Sequence, residues 1–290
     1  MPEEGRMSAG RRFGAWVSSI CGTEQRCLVQ EAGQPSAASS SSSSAKGRLA
    51  PSSPMDKSRA QVAWGRYCDF VAAPGHKCSR CWLLQTHCCC SGIPEVCLRP
   101  HVVLVMHFSE LEKHLGSNTA KVLLLFGAEL IARGVPEQDQ RLQEILDADP
   151  EGCAVLFPSP EAQAAVDIAA HNRLLQSENP GFASERRFPR CIIVLDGGWR
   201  ECRKIDAAIP PHIRRCIVTT ASREEYGGTR KYGGTDPKSD QGRVQTAAAF
   251  TALMQELEED PGHVDALKRG LAHFMLCWET QIKRSKKWVT

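Results

Sequence analysis

An α/β fold, with a mostly parallel sheet flanked by helices, is what this 290-residue sequence predicts. Short apolar runs such as residues 101–106 and 191–195 have the length and composition of strands buried on both faces. Stretches of helical period separate these runs, so strand and helix alternate as in βαβ units. The second run ends abruptly in Asp196-Gly197-Gly198-Trp199. Ligands of open α/β sheets collect outside the carboxyl ends of strands. An acid beside a large aromatic at such an end suits proton abstraction and the stacking of a flat group.

Composition narrows the class. A hydrophobic share of 42% and a charged share of 24% fit a soluble globular chain. No run is long and apolar enough to cross a bilayer, so no membrane partner is expected. The formal charge of +3 does not by itself call for a nucleic acid, although clustered Arg and Lys can still form a local patch. Fourteen cysteines raise the question of a secreted disulfide scaffold. The long strand and helix patterns and the lack of a signal peptide argue against it. Cys153, Cys191, Cys216 and Cys277 stand singly in apolar patterns, as small buried hydrophobes do.

Residues 1–60 have no sustained period and contain the serine run 39–44, so a disordered extension is expected. Arg6, Arg11, Arg12 and Arg26 with abundant Ser allow an organelle transit peptide, whereas Glu3, Glu4, Glu24 and Glu31 argue against one. A cytoplasmic or nuclear protein is the expectation, with organellar targeting as the alternative. Met55 stands just before the expected start of order and would serve a shorter product.

Residues 61–98 form a cysteine-rich segment. Cys78 and Cys81 make a CxxC knuckle, followed by Cys88 and Cys90. Four thiolates close a tetrahedral zinc site, and the two-residue spacer lets both sulfurs of a knuckle face one ion. The bland alternative is a chance cluster of reduced thiols. Cys89, Cys97, His76 and His87 are spare ligands.

The remaining chain, 99–290, reads as the α/β domain. After the strand at 101–106 stand His107 and Glu110, which by themselves read as solvated loop residues. Ser117-Asn118-Thr119 opens a helical pattern over 120–126, as N-cap or as amides that bind carboxylate or phosphate. A strand at 128–132, a helix at 138–148, a strand at 153–157 and a helix at 160–175 follow. Arg186, Arg187 and Arg190 form a basic connection into the strand at 191–195. A strand covers 214–219, and the glycine-rich, charged connection 222–243 is too long for an ordinary turn. Two helices close the chain, one over 244–259 and one with Val264, Leu267, Leu271, Phe274, Met275 and Trp278 as its core stripe. Lys283, Arg284, Lys286 and Lys287 with Trp288 make a basic end that suits phosphates and a stacked base, or a frayed solvated terminus.

Three ordered signatures resemble the DTW-domain family: the Cys78/Cys81/Cys88/Cys90 knuckle, His107-x-x-Glu110 followed by Ser117-Asn118-Thr119-Ala120, and Leu195-Asp196-Gly197-Gly198-Trp199. The resemblance implies a tRNA-uridine aminocarboxypropyltransferase with a core similar to the SPOUT methyltransferases, including a C-terminal knot. It implies S-adenosylmethionine as donor and tRNA as acceptor. It places Asp196 as general base and Trp199 as the pocket wall or stacking surface. Ser117, Asn118, Thr119, Gly197, Gly198 and Thr246 would hold the donor, with the 117–119 amides on its carboxylate and Asn118 on its amino group. Two departures stand out. Gly198 occupies the place of the family's Thr, and Thr246 lacks the Glu that usually follows it. A drifted acceptor or reduced activity is the expectation these departures raise, with an RNA methyltransferase and a lapsed RNA-binding module as the other readings.

Overall fold

A computed structural model describes residues 47–113, 118–178, 187–219 and 245–286. Residues ahead of the expected boundary at 60 already carry structure. Ser53 caps helix α1 (Pro54–Ala72), accepting a hydrogen bond from the Asp56 amide at 3.1 Å, with Pro54 in the first turn. Its buried residues Ala60, Ala63, Tyr67 and Val71 recur at helical spacing. The segment ahead of it is tied down as well: the Leu49 amide donates to Gln143 Oε1 at 2.7 Å, and the Ala50 amide to the Ala208 carbonyl at 2.8 Å. Residues 47–60 of the expected disordered extension are therefore packed structure, residues 1–46 lie outside the described residues, and Met55 lies within the first turn of α1. Of the described helices, none is long and apolar enough to cross a membrane.

The sheet has six parallel strands: β1 (His101–His107), β2 (Glu129–Arg133), β3 (Cys153–Leu156), β4 (Gln163–Ala164), β5 (Cys191–Asp196) and β6 (Arg214–Ile217), in the order β2-β1-β5-β3-β6-β4. Parallel neighbours need crossovers, and helices supply them. These are α2 (Phe108–Lys113), α3 (Val122–Leu125), α4 (Pro136–Ala148), α5 (Ala165–Glu178) and α6 (Trp199–Ala208). Helices α7 (Thr246–Glu256) and α8 (Pro261–Lys286) follow β6. The α/β expectation holds, with local differences. The helix expected from 120 reduces to the four residues of α3, and the pattern from 160 begins with β4, which leaves the helical run to pair with β6. The connection 222–243 lies outside the described residues.

Alternate side chains of the central strands point to opposite faces, which makes two cores. Val102, Leu104, Met106, Ile192 and Val194 pack with α1, α3, α7 and α8, whereas Val103, Val105, Ile193 and Leu195 pack with α4 and α6. The expected stripe of α8 is buried at Val264, Leu267, Leu271, Phe274 and Trp278. Arg190, read as part of a basic connection, is a clamp instead: its guanidinium holds both oxygens of Asp149 at 2.6 and 2.7 Å, joining the start of β5 to the end of α4. In the register of the sheet, Met106 of β1 lies opposite Asp196 of β5. The carboxyl ends of these two strands therefore open side by side.

Candidate active site and metal centre

Asp196 is the last residue of β5 and is 6% exposed. One carboxylate oxygen, Oδ2, accepts from Asn118 Nδ2 at 2.6 Å; the other, Oδ1, accepts from the Thr246 hydroxyl at 2.9 Å. Asn118 Nδ2 also donates to Glu110 Oε2 at 3.0 Å, and Asn118 Oδ1 accepts the Lys121 amide at 3.2 Å. The loop after β1, the end of β5 and the start of α7 thus meet at one carboxylate. Each bond fixes the orientation of a side chain whose neighbours are equally fixed, which is the condition for a preorganised site.

This network bears on two expectations. Asn118 directs its amide nitrogen toward Glu110 and Asp196 and so orients the acid, while its Oδ1, the atom that would accept from a ligand's amino group, takes the Lys121 amide. His107 and Glu110 lie beside this network rather than in solvated loop. The His107 ring lies half-buried, with Nδ1 2.7 Å from the Ser109 hydroxyl, and burial lowers its pKa despite the opposing charge of Glu201. Composition around them marks neither residue; the three-residue spacing of His107-x-x-Glu110 across the end of β1 is the signal that does.

Two glycines shape the turn. Gly197 has φ +154°, and a Cβ there would sit 3.1 Å from the His107 Cβ, so the backbone of one strand end passes directly over the other. Gly198 is different. It is the N-cap of α6 in an extended conformation (φ −59°, ψ 152°) that any residue can adopt. A Cβ there would meet the tip of the Glu201 side chain, which can swing aside. Gly198→Thr is therefore expected to fold with a stability change within about 0.5 kcal/mol, since Gly and Thr are similar N-caps. If the missing hydroxyl belongs to the site, the substitution should raise turnover about 2- to 10-fold, the range of one neutral hydrogen bond. Thermal melts and steady-state rates of the two proteins check both parts.

Trp199 opens α6 and is 41% exposed, with its ring 5.3 Å from that of buried Phe157. Phe157 supports one side of the indole, which leaves Trp199 as a rigid aromatic surface near the acid. Beyond it, Arg200, Arg203 and Lys204 are exposed on α6. Arg59 of α1 lies over the Phe108 ring at 5.0 Å, next to His107. Arg59 also pairs with Glu112 at 3.5 Å, and Glu201 lies in the first turn of α6, so the surroundings of the acid carry both signs of charge. Cys202, buried beneath Gly197, has its thiol pushed up to about 12 by burial and by the charges of Asp196, Glu110 and Glu201. A thiolate nucleophile is not available there.

The remaining predicted ligands of the donor take different local places. Thr119 is buried beside Asn118, Thr246 holds Asp196, Gly197 and Gly198 form the turn, and Ser117 lies outside the described residues. A cavity of about 410 Å³ lined by Arg99, Pro100, His101 and Phe126 lies at the amino end of β1, the opposite end from Asp196.

The cysteine segment folds as its spacing predicts. The Cys78 amide donates to Leu83 O at 2.7 Å and the Trp82 amide to Cys78 O at 2.8 Å, around a left-handed Trp82 (φ +61°). The sulfurs of Cys78, Cys81, Cys88 and Cys90 all lie within 4.8 Å of one another. A tetrahedral centre with Zn–S of about 2.3 Å requires sulfur pairs about 3.8 Å apart. Cys78 and Cys90 are 3.7 Å apart, and Cys81 and Cys88 are 3.8 Å apart, so the donor set fits a metal ion of this kind. Crowding alone drives the Cys81 thiol far down, through hydrogen bonds from Cys78, Cys89 and Cys90, and drives Cys90 up. Cys89 is buried against Cys81 but outside the foursome, and Cys97 is exposed. The knuckle is seated on α8 by the Leu84 amide, which donates to Gln281 Oε1 at 2.8 Å, and on α1 by Trp82 against Tyr67 at 5.3 Å.

Lys121 was not singled out by its sequence position, yet it is fully buried between the two centres. Its ammonium lies over the rings of Trp82 (5.6 Å) and Phe274 (5.4 Å). Burial draws its pKa down to about 7, against the opposing charge of Cys81 and Cys89.

No curated protein and no solved structure matches this chain. A family model described as the DTW domain matches residues 75–278, a span that takes in the cysteine knuckle, Glu110, Asn118, Asp196, Trp199 and Thr246. The chain therefore belongs to the DTW-domain family, a family of enzymes acting on tRNA.

Proposed function

We propose that the protein transfers the 3-amino-3-carboxypropyl group of S-adenosylmethionine to N3 of a uridine in tRNA, releasing methylthioadenosine. The observation that carries this reading is the buried Asp196 carboxylate, fixed from two sides by Asn118 and Thr246 beside the exposed Trp199. Uridine N3 bears a proton that must leave before its lone pair can attack. Asp196 would accept it as general base. The N3–C bond then forms at the donor's γ-carbon as the C–S bond breaks, and its electron pair neutralises the sulfonium. Methylthioadenosine leaves uncharged, so the protein has no leaving group to protonate.

Trp199 would stack on the flat base, with Phe157 behind it. Arg200, Arg203, Lys204 and Arg59 would meet phosphates around the target nucleotide. Thr119, Gly197 and Gly198 border the space that the donor would occupy. Zinc, held by Cys78, Cys81, Cys88 and Cys90, would close the knuckle and take no part in the transfer. The same reading carries a SPOUT-like core with a C-terminal knot, with which an all-parallel sheet bearing its site at the strand carboxyl ends is compatible.

Incubation of the purified protein with unmodified tRNA and S-adenosylmethionine, followed by nucleoside mass spectrometry, tests the reading. An aminocarboxypropyl-uridine and an equal amount of methylthioadenosine are expected. A methylated nucleoside with S-adenosylhomocysteine would establish a methyltransferase instead. Gly198 favours a second reading, an RNA-binding module without catalysis. That reading prevails if wild type and Asp196→Ala bind tRNA alike and neither forms product.

A further inference from the structure

We infer that Lys121 is the counter-charge of the tetrathiolate metal centre and sets its affinity for zinc. The inference rests on the zinc reading of the four cysteines. A Zn²⁺ ion with four thiolates carries a net charge of about −2, and such a centre in a protein interior is costly unless a cation offsets it. Lys121 is 0% exposed, and its chain neighbours Ala120 and Val122 belong to the first core. Its ammonium lies over the ring of Trp82, the residue directly after Cys81, and over that of Phe274 in α8. The charges of Cys81, Cys89 and Cys78 all act on it favourably. Keeping a lysine charged among aromatic rings is costly, and a centre of opposite sign beside it lowers that cost.

The placement has a second consequence. The backbone amide of the same residue holds Asn118 Oδ1, and Asn118 holds Asp196. One residue thus joins the metal centre through its side chain and the acid through its main chain. Lys121 is a positioning residue, acting on the metal through charge and on the site through its amide.

The test is zinc competition on the full chain, using a chromogenic chelator, with wild type, Lys121→Met and Lys121→Gln. Met keeps the stem and removes the charge; Gln keeps a polar end. Groups outside the coordination sphere typically set metal affinity within about 10- to 100-fold. Zinc should therefore bind at least about tenfold more weakly to both variants, while the zinc-free variants melt no lower than zinc-free wild type. The cobalt-loaded proteins should keep their thiolate charge-transfer bands, showing that the four ligands remain. Zinc affinity within threefold of wild type in both variants would overturn the inference, as would weakening matched by an equal loss of stability in the zinc-free proteins. If Lys121→Met does not fold, the Lys121→Gln competition decides by the same threshold. A wild type that binds no zinc would defeat the metal reading itself, a result distinct from either.

Discussion

Asp196→Asn is expected to lower turnover about 10²- to 10⁴-fold, the usual contribution of a positioned general base. The substitution preserves volume, but the network around it makes it more than an isostere. Asp196 accepts on both oxygens, from the Thr246 hydroxyl and from Asn118 Nδ2. An amide at 196 can accept from Asn118 Nδ2 with its oxygen and donate from its own N–H₂ to the Thr246 hydroxyl, which then serves as acceptor. Only the opposite orientation would set one N–H₂ against another. A cost of about 1 kcal/mol in stability, the difference between charged and neutral hydrogen bonds, should therefore accompany the loss of activity. Rates measured well below the melting temperature separate the two effects. Turnover within fivefold of wild type would show that the carboxylate organises the turn and does not move the proton. Thr246→Val, which removes a neutral donor and leaves the acid, should cost far less in rate.

Loss of the metal centre is expected to have the largest effect on the fold. Zinc bound by four cysteines contributes about 10–16 kcal/mol in isolated knuckles, comparable to or larger than the whole stability of a typical domain, about 5–15 kcal/mol. Cys81→Ser should abolish stoichiometric zinc and lower the melting temperature by more than about 10 °C, by the usual scaling of stability to melting point. The damage should spread because the knuckle is not a separate module. Trp82 packs on Tyr67 of α1, Leu84 is bound to Gln281 of α8, and Lys121 lies between knuckle and acid. Cys97→Ser, at an exposed thiol outside the cluster, is the control and should change neither zinc content nor stability. Elemental analysis of reduced wild type should give about one zinc per chain. A metal-free chain with an unchanged melting point would end the proposal.

Much of this architecture was legible without coordinates. The strands at 101–107 and 191–196 announce themselves as continuous apolar runs of strand length, because a parallel strand buried on both faces has no polar side to show. The helix at 54–72 was missed for an equally physical reason. Its buried stripe is built partly of alanines, which carry little hydrophobic contrast, and a serine-rich stretch precedes it. Ser53-Pro54-Met55-Asp56, with a capping side chain, proline in the first turn and an acid three residues on, was the available start signal.

The sequence by itself determined the alternation of strands and helices, the four-cysteine set and the acid at the end of a strand. These depend on spacing within a few residues, which the covalent chain enforces directly. Tertiary structure alone decided which groups surround that acid. Asn118 and Thr246 lie 78 and 50 residues from Asp196, and they meet it because β1 and β5 pair side by side while α7 begins beside their carboxyl ends. It also decided that Lys121 is interior, since a lysine in a short polar-to-apolar transition looks like a surface residue until the rings of Trp82 and Phe274 close over it. Long-range contacts of this kind are set by the global packing of two cores, and no local period encodes them.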